Sequence, residues 1–281
     1  LTASPSSPVR PAAPAADHRT SQWLVQNEGR ELVGTVTEVG KGLPVVFLHG
    51  LVGLNEHWEG VVDRASHSVH CTLFELPLLQ LRGSDCSVQG VARFTTEFLR
   101  ARHKEPVVLV GNSFGGHVAL RIALEHPDLV RGLVLAGSSG LIEKTMVREI
   151  TVRPSREWLV RKIGELFYDQ SFMRDADVDR AHRELSDRLG ARAMVKLSRS
   201  ARSDHLGERI SAIEQPTLLI WGRQDVVTPP EAAEEFRARL RNSRIVWFDR
   251  CGHAPMIECP DLFADALLDF CADLSKGAAS R

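Results

Sequence analysis

The chain has 281 residues, 43% of them hydrophobic, and its 35 Lys and Arg against 36 Asp and Glu leave a formal net charge of -1. That length and apolar content suit one α/β domain carrying an insertion. The even charge balance lacks the basic excess of a nucleic-acid-binding protein, and no apolar run reaches the ~18–20 residues that span a bilayer.

Residues 1–20 are rich in Pro, Ala and Ser. They lack the continuous apolar stretch of a secretory signal, and they carry too little apolar surface to offset the entropy of ordering. A disordered tail is therefore predicted. Trp23–Gln26 and Leu32–Glu38 read as two strands joined at Asn27–Gly29, an antiparallel hairpin. Apolar runs without alternation follow at Pro44–Leu48, Pro106–Val110, Gly132–Ala136, Thr217–Trp221 and Ile245–Phe248, with Val69–Leu76 a less clean candidate. Strands buried on both faces of a parallel sheet have this character. Helical patterns lie between them: Val88–His103 after the capping residue Ser87, Phe114–His126 before Pro127, Pro230–Leu240, and Asp261–Leu274 after Pro260. The alternation predicts an α/β fold built on a mostly parallel sheet.

One stretch breaks the alternation. From about Leu141 to Arg209 the chain is helical in pattern and dense in charge, with apolar positions that include Trp158, Ile163, Leu166, Phe167 and Met194. It reads as a helical insertion above the sheet edge, its arginines mostly a solvated face. The division expected is a tail over 1–20, a core over 21–138 and 208–275, a helical cap over 139–207 and a short tail over 276–281. The five cysteines, Cys71, Cys86, Cys251, Cys259 and Cys271, form no CxxC pair and have no histidines at zinc-like spacing. They read as reduced thiols of a cytoplasmic protein, with no metal site.

The chemistry concentrates at Gly111-Asn112-Ser113-Phe114-Gly115-Gly116, where a predicted strand runs directly into a predicted helix. A sharp strand-to-helix turn strains its middle residue, and small residues two before and two after let the backbones approach. Ser113 then projects its hydroxyl at the sheet edge. The Phe114 N–H lies in the first helical turn without an intrahelical partner and is free to hold an oxyanion. Three further segments follow predicted strands: His49-Gly50-Leu51-Val52-Gly53, Trp221-Gly222-Arg223-Gln224-Asp225, and Cys251-Gly252-His253-Ala254-Pro255.

These four segments, in this order, resemble the α/β-hydrolase superfamily, in its serine-nucleophile, cap-bearing branch. The resemblance covers about residues 21–275 and is specific only at those loops. It implies Ser113 as nucleophile, Asp225 as orienting acid and His253 as base. It further implies an oxyanion hole from the Leu51 and Phe114 N–H groups, supported by His49, Gly50, Gly111 and Gly115. No metal and no cofactor are needed. Asp249 and Glu143 are the competing acids. Asp249 ends a strand and looks structural; Glu143 is a candidate because some members carry the acid after the sixth strand.

The implied activity is hydrolysis of a carboxylic ester of a small to medium, apolar substrate through an acyl-enzyme. The motif Gly-Asn-Ser-Phe-Gly-Gly also resembles that of C–C hydrolases acting on vinylogous diketones. Those enzymes usually place Trp after the histidine, where this chain has Ala254, and use a cap arginine, for which Arg188, Arg192 and Arg199 are candidates. A non-catalytic ligand- or partner-binding protein of the same fold is the alternative from another class. The loop Glu75–Ser84 has leucines where relatives carry glycines, so a bulkier, more apolar site is expected. The partner called for is a small-molecule substrate, with no nucleic acid and no membrane span. Oligomeric state is not readable.

Overall fold

Eight strands form one sheet in the computed structural model, which describes residues 18–142 and 154–279. The chain opens with β1 (Arg19–Asn27) and β2 (Arg30–Val39), paired antiparallel about the turn at Glu28 and Gly29. The hairpin is as expected but longer, since β1 takes Arg19 and Thr20 from the predicted tail. Both residues pair with β2, so ladder hydrogen bonds order them. β3 (Leu43–Leu48), α1 (Glu59–Ala65) and β4 (Val69–Glu75) follow, then α2 (Val88–Arg102), β5 (Val107–Asn112), α3 (Phe114–Glu125) and β6 (Val130–Ala136). α1 has no counterpart in the sequence pattern. It is only seven residues long, too short for a helical period to stand out, and its Val61, Val62 and Ala65 are buried.

Among the described residues, three α-helices follow β6, α4 (Arg156–Gly164), α5 (Asp175–Ser186) and α6 (Arg188–Ser203), before β7 (Thr217–Gly222). The competing acid Glu143 lies outside the described residues. α7 (Pro230–Arg239), β8 (Ser243–Phe248), the single turn α8 (Pro255–Glu258) and α9 (Pro260–Ala279) complete the chain. α9 continues past residue 275 into the expected C-terminal tail.

The strand order is β1-β2-β4-β3-β5-β6-β7-β8; β1, β2 and β4 pair antiparallel in turn, and every pair from β4 to β8 is parallel. The inner strands are sealed on both faces: every residue of β5 and β7 is buried. β8 departs from the expectation, being only partly covered because it is the sheet edge. One core lies between the sheet and α2, α3, α6 and α7; the other lies between the sheet and α1, α8 and α9.

A third, smaller cluster belongs to the helical segment and joins Leu159, Ile163, Val178, Ala181, Leu185 and Met194. α6 is shared. Met194 faces this cluster, while Ala193, Leu197 and Ala201 sit in the main core. Its apolar positions therefore serve two cores, while its arginines keep a solvent face.

No helix among the described residues is long and apolar enough to cross a membrane.

Candidate active site

The parallel strands end level. Leu48 pairs with Gly111, Asn112 with Ala136, Ala136 with Ile220, and Gly222 with Phe248. The loops after β3, β5, β6, β7 and β8 therefore open on one edge, where ligands of open α/β sheets bind. Ser113 stands directly after β5 with φ 53° and ψ -118°, a region costing a non-glycine residue about 1–3 kcal/mol. Main-chain bonds hold it there: its N–H donates to Ala136 O (3.0 Å), and its carbonyl accepts from His117 N (3.2 Å) and Ser139 N (3.1 Å). The flanking glycines are required by contact. A β carbon on Gly111 would lie 2.5 Å from the Gly115 carbonyl carbon, and one on Gly115 would lie 2.3 Å from Leu48 O.

Asp225 and His253 meet across the β7 and β8 loops. His253 Nδ1 donates to Asp225 Oδ2 at 2.8 Å, and both residues are buried. Asp225 Oδ1 accepts the N–H groups of Val227 (2.8 Å) and Thr228 (2.9 Å), and Oδ2 also accepts Thr228 Oγ1 (2.8 Å). The carboxylate is thus fixed by four donors, and the bond from Nδ1 leaves the opposite ring nitrogen of His253 free to act. The competitor Asp249 is 81% exposed and paired with Arg223, away from the histidine.

Two supporting residues were not assigned these roles from the sequence. Asn112 Nδ2 donates to Ala136 O (3.0 Å) and His253 O (3.1 Å), tying the histidine loop to the elbow. Gly137 backs the acid–imidazole pair. With φ 49°, it has no room for a β carbon, which would lie 2.9 Å from His253 Nδ1 and 3.0 Å from Asp225 Oδ2. The signal for both was weak, since each acts on a residue more than 80 positions away.

His49 is buried and donates from Nδ1 to Gly50 O at 2.7 Å, closing the turn after β3. Burial holds its pKa below the ordinary histidine value. Gly50 packs against Asn112 and Ser113. Leu51, Phe114, Ser113 and His253 all line one cavity. Its walls are mainly apolar and include Ile163, Phe167, Met194, Val227 and Met256.

The profile of the alpha/beta hydrolase family matches residues 45–266 of this chain. The chain belongs to that family. It is 29% identical over 261 residues to the 2-hydroxy-6-oxo-6-(2'-aminophenyl)hexa-2,4-dienoic acid hydrolase of Metapseudomonas resinovorans, covering 86% of this chain and 89% of that one. It is 28% identical over 247 residues to the pimeloyl-[acyl-carrier protein] methyl ester esterase of Nitrosomonas europaea, covering 81% and 95%. Among solved structures, an alpha/beta hydrolase enzyme from the metagenome of lagoon sediments at Mar Chica, Morocco, superposes with a TM-score of 0.70 at 31% identity, over 89% of this chain and 98% of that one. These relatives are hydrolases, and the fold is the α/β-hydrolase fold.

In this α/β hydrolase the helical segment supplies the cavity's far wall, but not with the arginines expected. Arg188, Arg192 and Arg199 are exposed and none lines the cavity. They lie on the outward face of α6, because its inward faces are taken by the two cores. The cavity-lining arginine is Arg180 of α5, which bonds Glu184 (3.0 Å) and Val52 O (2.5 Å). Beside it Asp177 accepts from His57 Nε2 at 3.3 Å. The leucine-rich loop does not reach the cavity either. Leu76, Leu78 and Leu81 are buried in the main core, and none of residues 75–84 lines the cavity.

Proposed function

We propose that this chain is a serine hydrolase that cleaves a carboxylic ester of a small to medium, apolar substrate. The reading is carried by the 2.8 Å Asp225–His253 pair opening on the same apolar cavity as the strained Ser113. His253 takes the proton of Ser113 Oγ as Oγ bonds the carbonyl carbon. The Leu51 and Phe114 N–H groups stabilise the oxyanion, each donor worth roughly 3–4 kcal/mol in such sites. The C–O bond to the alcohol breaks as His253 returns the proton to it. Water, deprotonated by the same imidazole, attacks the acyl-enzyme and releases the acid and Ser113.

C–C hydrolysis of a vinylogous diketone is the second reading, favoured by the likeness to the dienoic acid hydrolase. The cavity argues for the ester. Arg180 is the one Lys or Arg among its described lining residues, and it is already paired, so among those residues a substrate carboxylate meets no uncommitted guanidinium. Ala254 leaves the position after the histidine small.

Two measurements test this. A fluorophosphonate labels Ser113 in the folded protein and leaves Ser113→Ala unmodified; no labelling of the folded wild type overturns the enzyme reading in favour of a binding protein. p-Nitrophenyl esters of rising chain length are then turned over faster than a vinylogous 1,5-diketone; the reverse order selects C–C hydrolysis.

A further inference from the structure

The loop that carries His253 is tied to the helical segment at two adjacent residues. The His253 N–H donates to Leu166 O at 2.8 Å, so its backbone hangs on the chain leaving α4. Gly252 lies against that same chain. A β carbon there would come within 2.7 Å of Leu166 O, 2.8 Å of Tyr168 N and 3.0 Å of the Phe167 carbonyl carbon.

At this seam sits Glu258, the last residue of α8. Its Oε1 accepts the Gly252 N–H at 2.7 Å, and its Oε2 accepts the N–H groups of Tyr168 (2.8 Å) and Asp169 (3.2 Å). The residue is 9% exposed. Burying a carboxylate is costly unless hydrogen bonds hold it, and here three main-chain donors do so. The residue type matters. Only a carboxylate offers two acceptor oxygens and no donor, so it alone serves the histidine loop with one oxygen and the helical segment with the other. Leu166 and Phe167 line the cavity, as do Met256 and Ile257 of Glu258's own turn.

We propose that Glu258 is a positioning residue for His253. It fixes the histidine loop and the Leu166–Phe167 wall in one geometry, so proton transfer at Ser113 depends on a group that touches neither Ser113 nor substrate. This rests on the reading of Ser113 as nucleophile and His253 as base. In Glu258→Gln one oxygen becomes an NH2 that faces N–H donors, and either the loop or the wall loses its acceptor. In Glu258→Asp the charge stays but the shorter side chain spans only one side.

Saturation kinetics of Ser113 labelling by a fluorophosphonate separate the roles, with circular dichroism and thermal melting reporting the folded fraction. Both variants of the full chain are expected to label with kinact lowered roughly 10–100-fold and KI within about twofold of wild type, because a displacement of about 1 Å costs that much in oriented proton transfer. An unchanged kinact per folded molecule in either variant, with only the melting temperature lowered, overturns the proposal. So does a raised KI with kinact intact, which makes Glu258 a support of the wall alone. Glu258→Asp keeps the test decisive if Glu258→Gln does not fold. A wild type that does not label overturns the serine-hydrolase reading instead.

Discussion

At the C-terminal edge of the sheet, Ser113, Asp225 and His253 each sit within a few residues of a strand end and are held by main-chain bonds and buried acceptors. Over that edge, α5 and the residue that precedes it are fastened largely by side chains. Arg174 pairs with Glu56 (3.0 Å) and Asp177 (2.8 Å), His57 with Asp177, and Arg180 reaches Val52 O. Arg174 and Glu56 are each 44% exposed, and exposed pairs of this kind contribute about 0–1 kcal/mol each. The difference teaches where each property resides. Groups proposed to move protons are set by ladder register, which tolerates no slip, whereas the part of the cavity wall on α5 rests on contacts that can change without unfolding the sheet. α6 belongs with the first region, through Leu197 in the main core and the bond from Val88 N to Ser200 Oγ (3.0 Å).

Five substitutions test that contrast. Asp225→Asn strikes the rigid region hardest. It keeps the shape but presents an amide to Nδ1, and kcat on the ester is expected to fall about 10⁴-fold with little change in KM. A loss under tenfold would mean that the pair does not orient the base.

Leu197→Ala and Leu159→Ala set the two regions against each other. Leu197 is fully buried in the main core, so its truncation lowers global stability by about 2–5 kcal/mol in urea unfolding. Leu159 belongs to the small cluster. Its truncation is expected to raise hydrogen exchange over α4 and α5 while the sheet stays protected. Equal loss of protection in both regions would show that the helical segment is one cooperative unit with the sheet.

Gly137→Ala adds a β carbon at φ 49°, against the Asp225–His253 pair. It should cost about 1–2 kcal/mol of stability from the left-handed backbone and roughly tenfold or more in kcat from displacement of the imidazole.

Arg174→Ala is the mildest. It leaves kcat unchanged, raises KM by about twofold to fivefold and moves stability by less than about 1 kcal/mol. Its effect on stability is largest near neutral pH and fades in acid. Burial pushes the Asp177 carboxyl up, but hydrogen bonds from His57 and Arg174 outweigh this and hold it well below the usual carboxylate value of 3.8. A depressed carboxylate contributes stability above its unfolded pKa and loses it as pH falls toward its folded one. With Arg174 gone the folded value rises, so this contribution is smaller and is lost at a higher pH, and urea unfolding across an acid pH series is expected to show the gap between variant and wild type closing as pH falls.

Much of the sheet edge was legible because its determinants are local. A strand that becomes a helix within one residue, with glycine on each side of Ser113, is a short-range pattern, and the histidine and acid loops each follow an apolar run. What the pattern could not give was packing between distant segments. Arg188, Arg192 and Arg199 and Arg180 are alike as residues on charged helices, and only the burial of two faces of α6 turns the first three outward and leaves Arg180 on the cavity. The leucines of residues 75–84 read equally well as cavity lining or as core until the main core claims Leu76, Leu78 and Leu81 and the small cluster of the helical segment takes Leu79. Asn112 was visible as part of a motif, but not as the tie to His253 O.

By itself, then, the sequence determined the α/β alternation, the strand-to-helix turn at Ser113 and the loops bearing Asp225 and His253, since backbone sterics and apolar periodicity act over a few residues. Tertiary structure alone decided that Gly137 backs the Asp225–His253 pair, that Arg180 lines the cavity, and that Glu258 joins the Gly252 N–H to those of Tyr168 and Asp169. Such contacts join residues far apart in the chain. They are fixed by which surfaces the closed core leaves facing each other, and no local pattern carries that information.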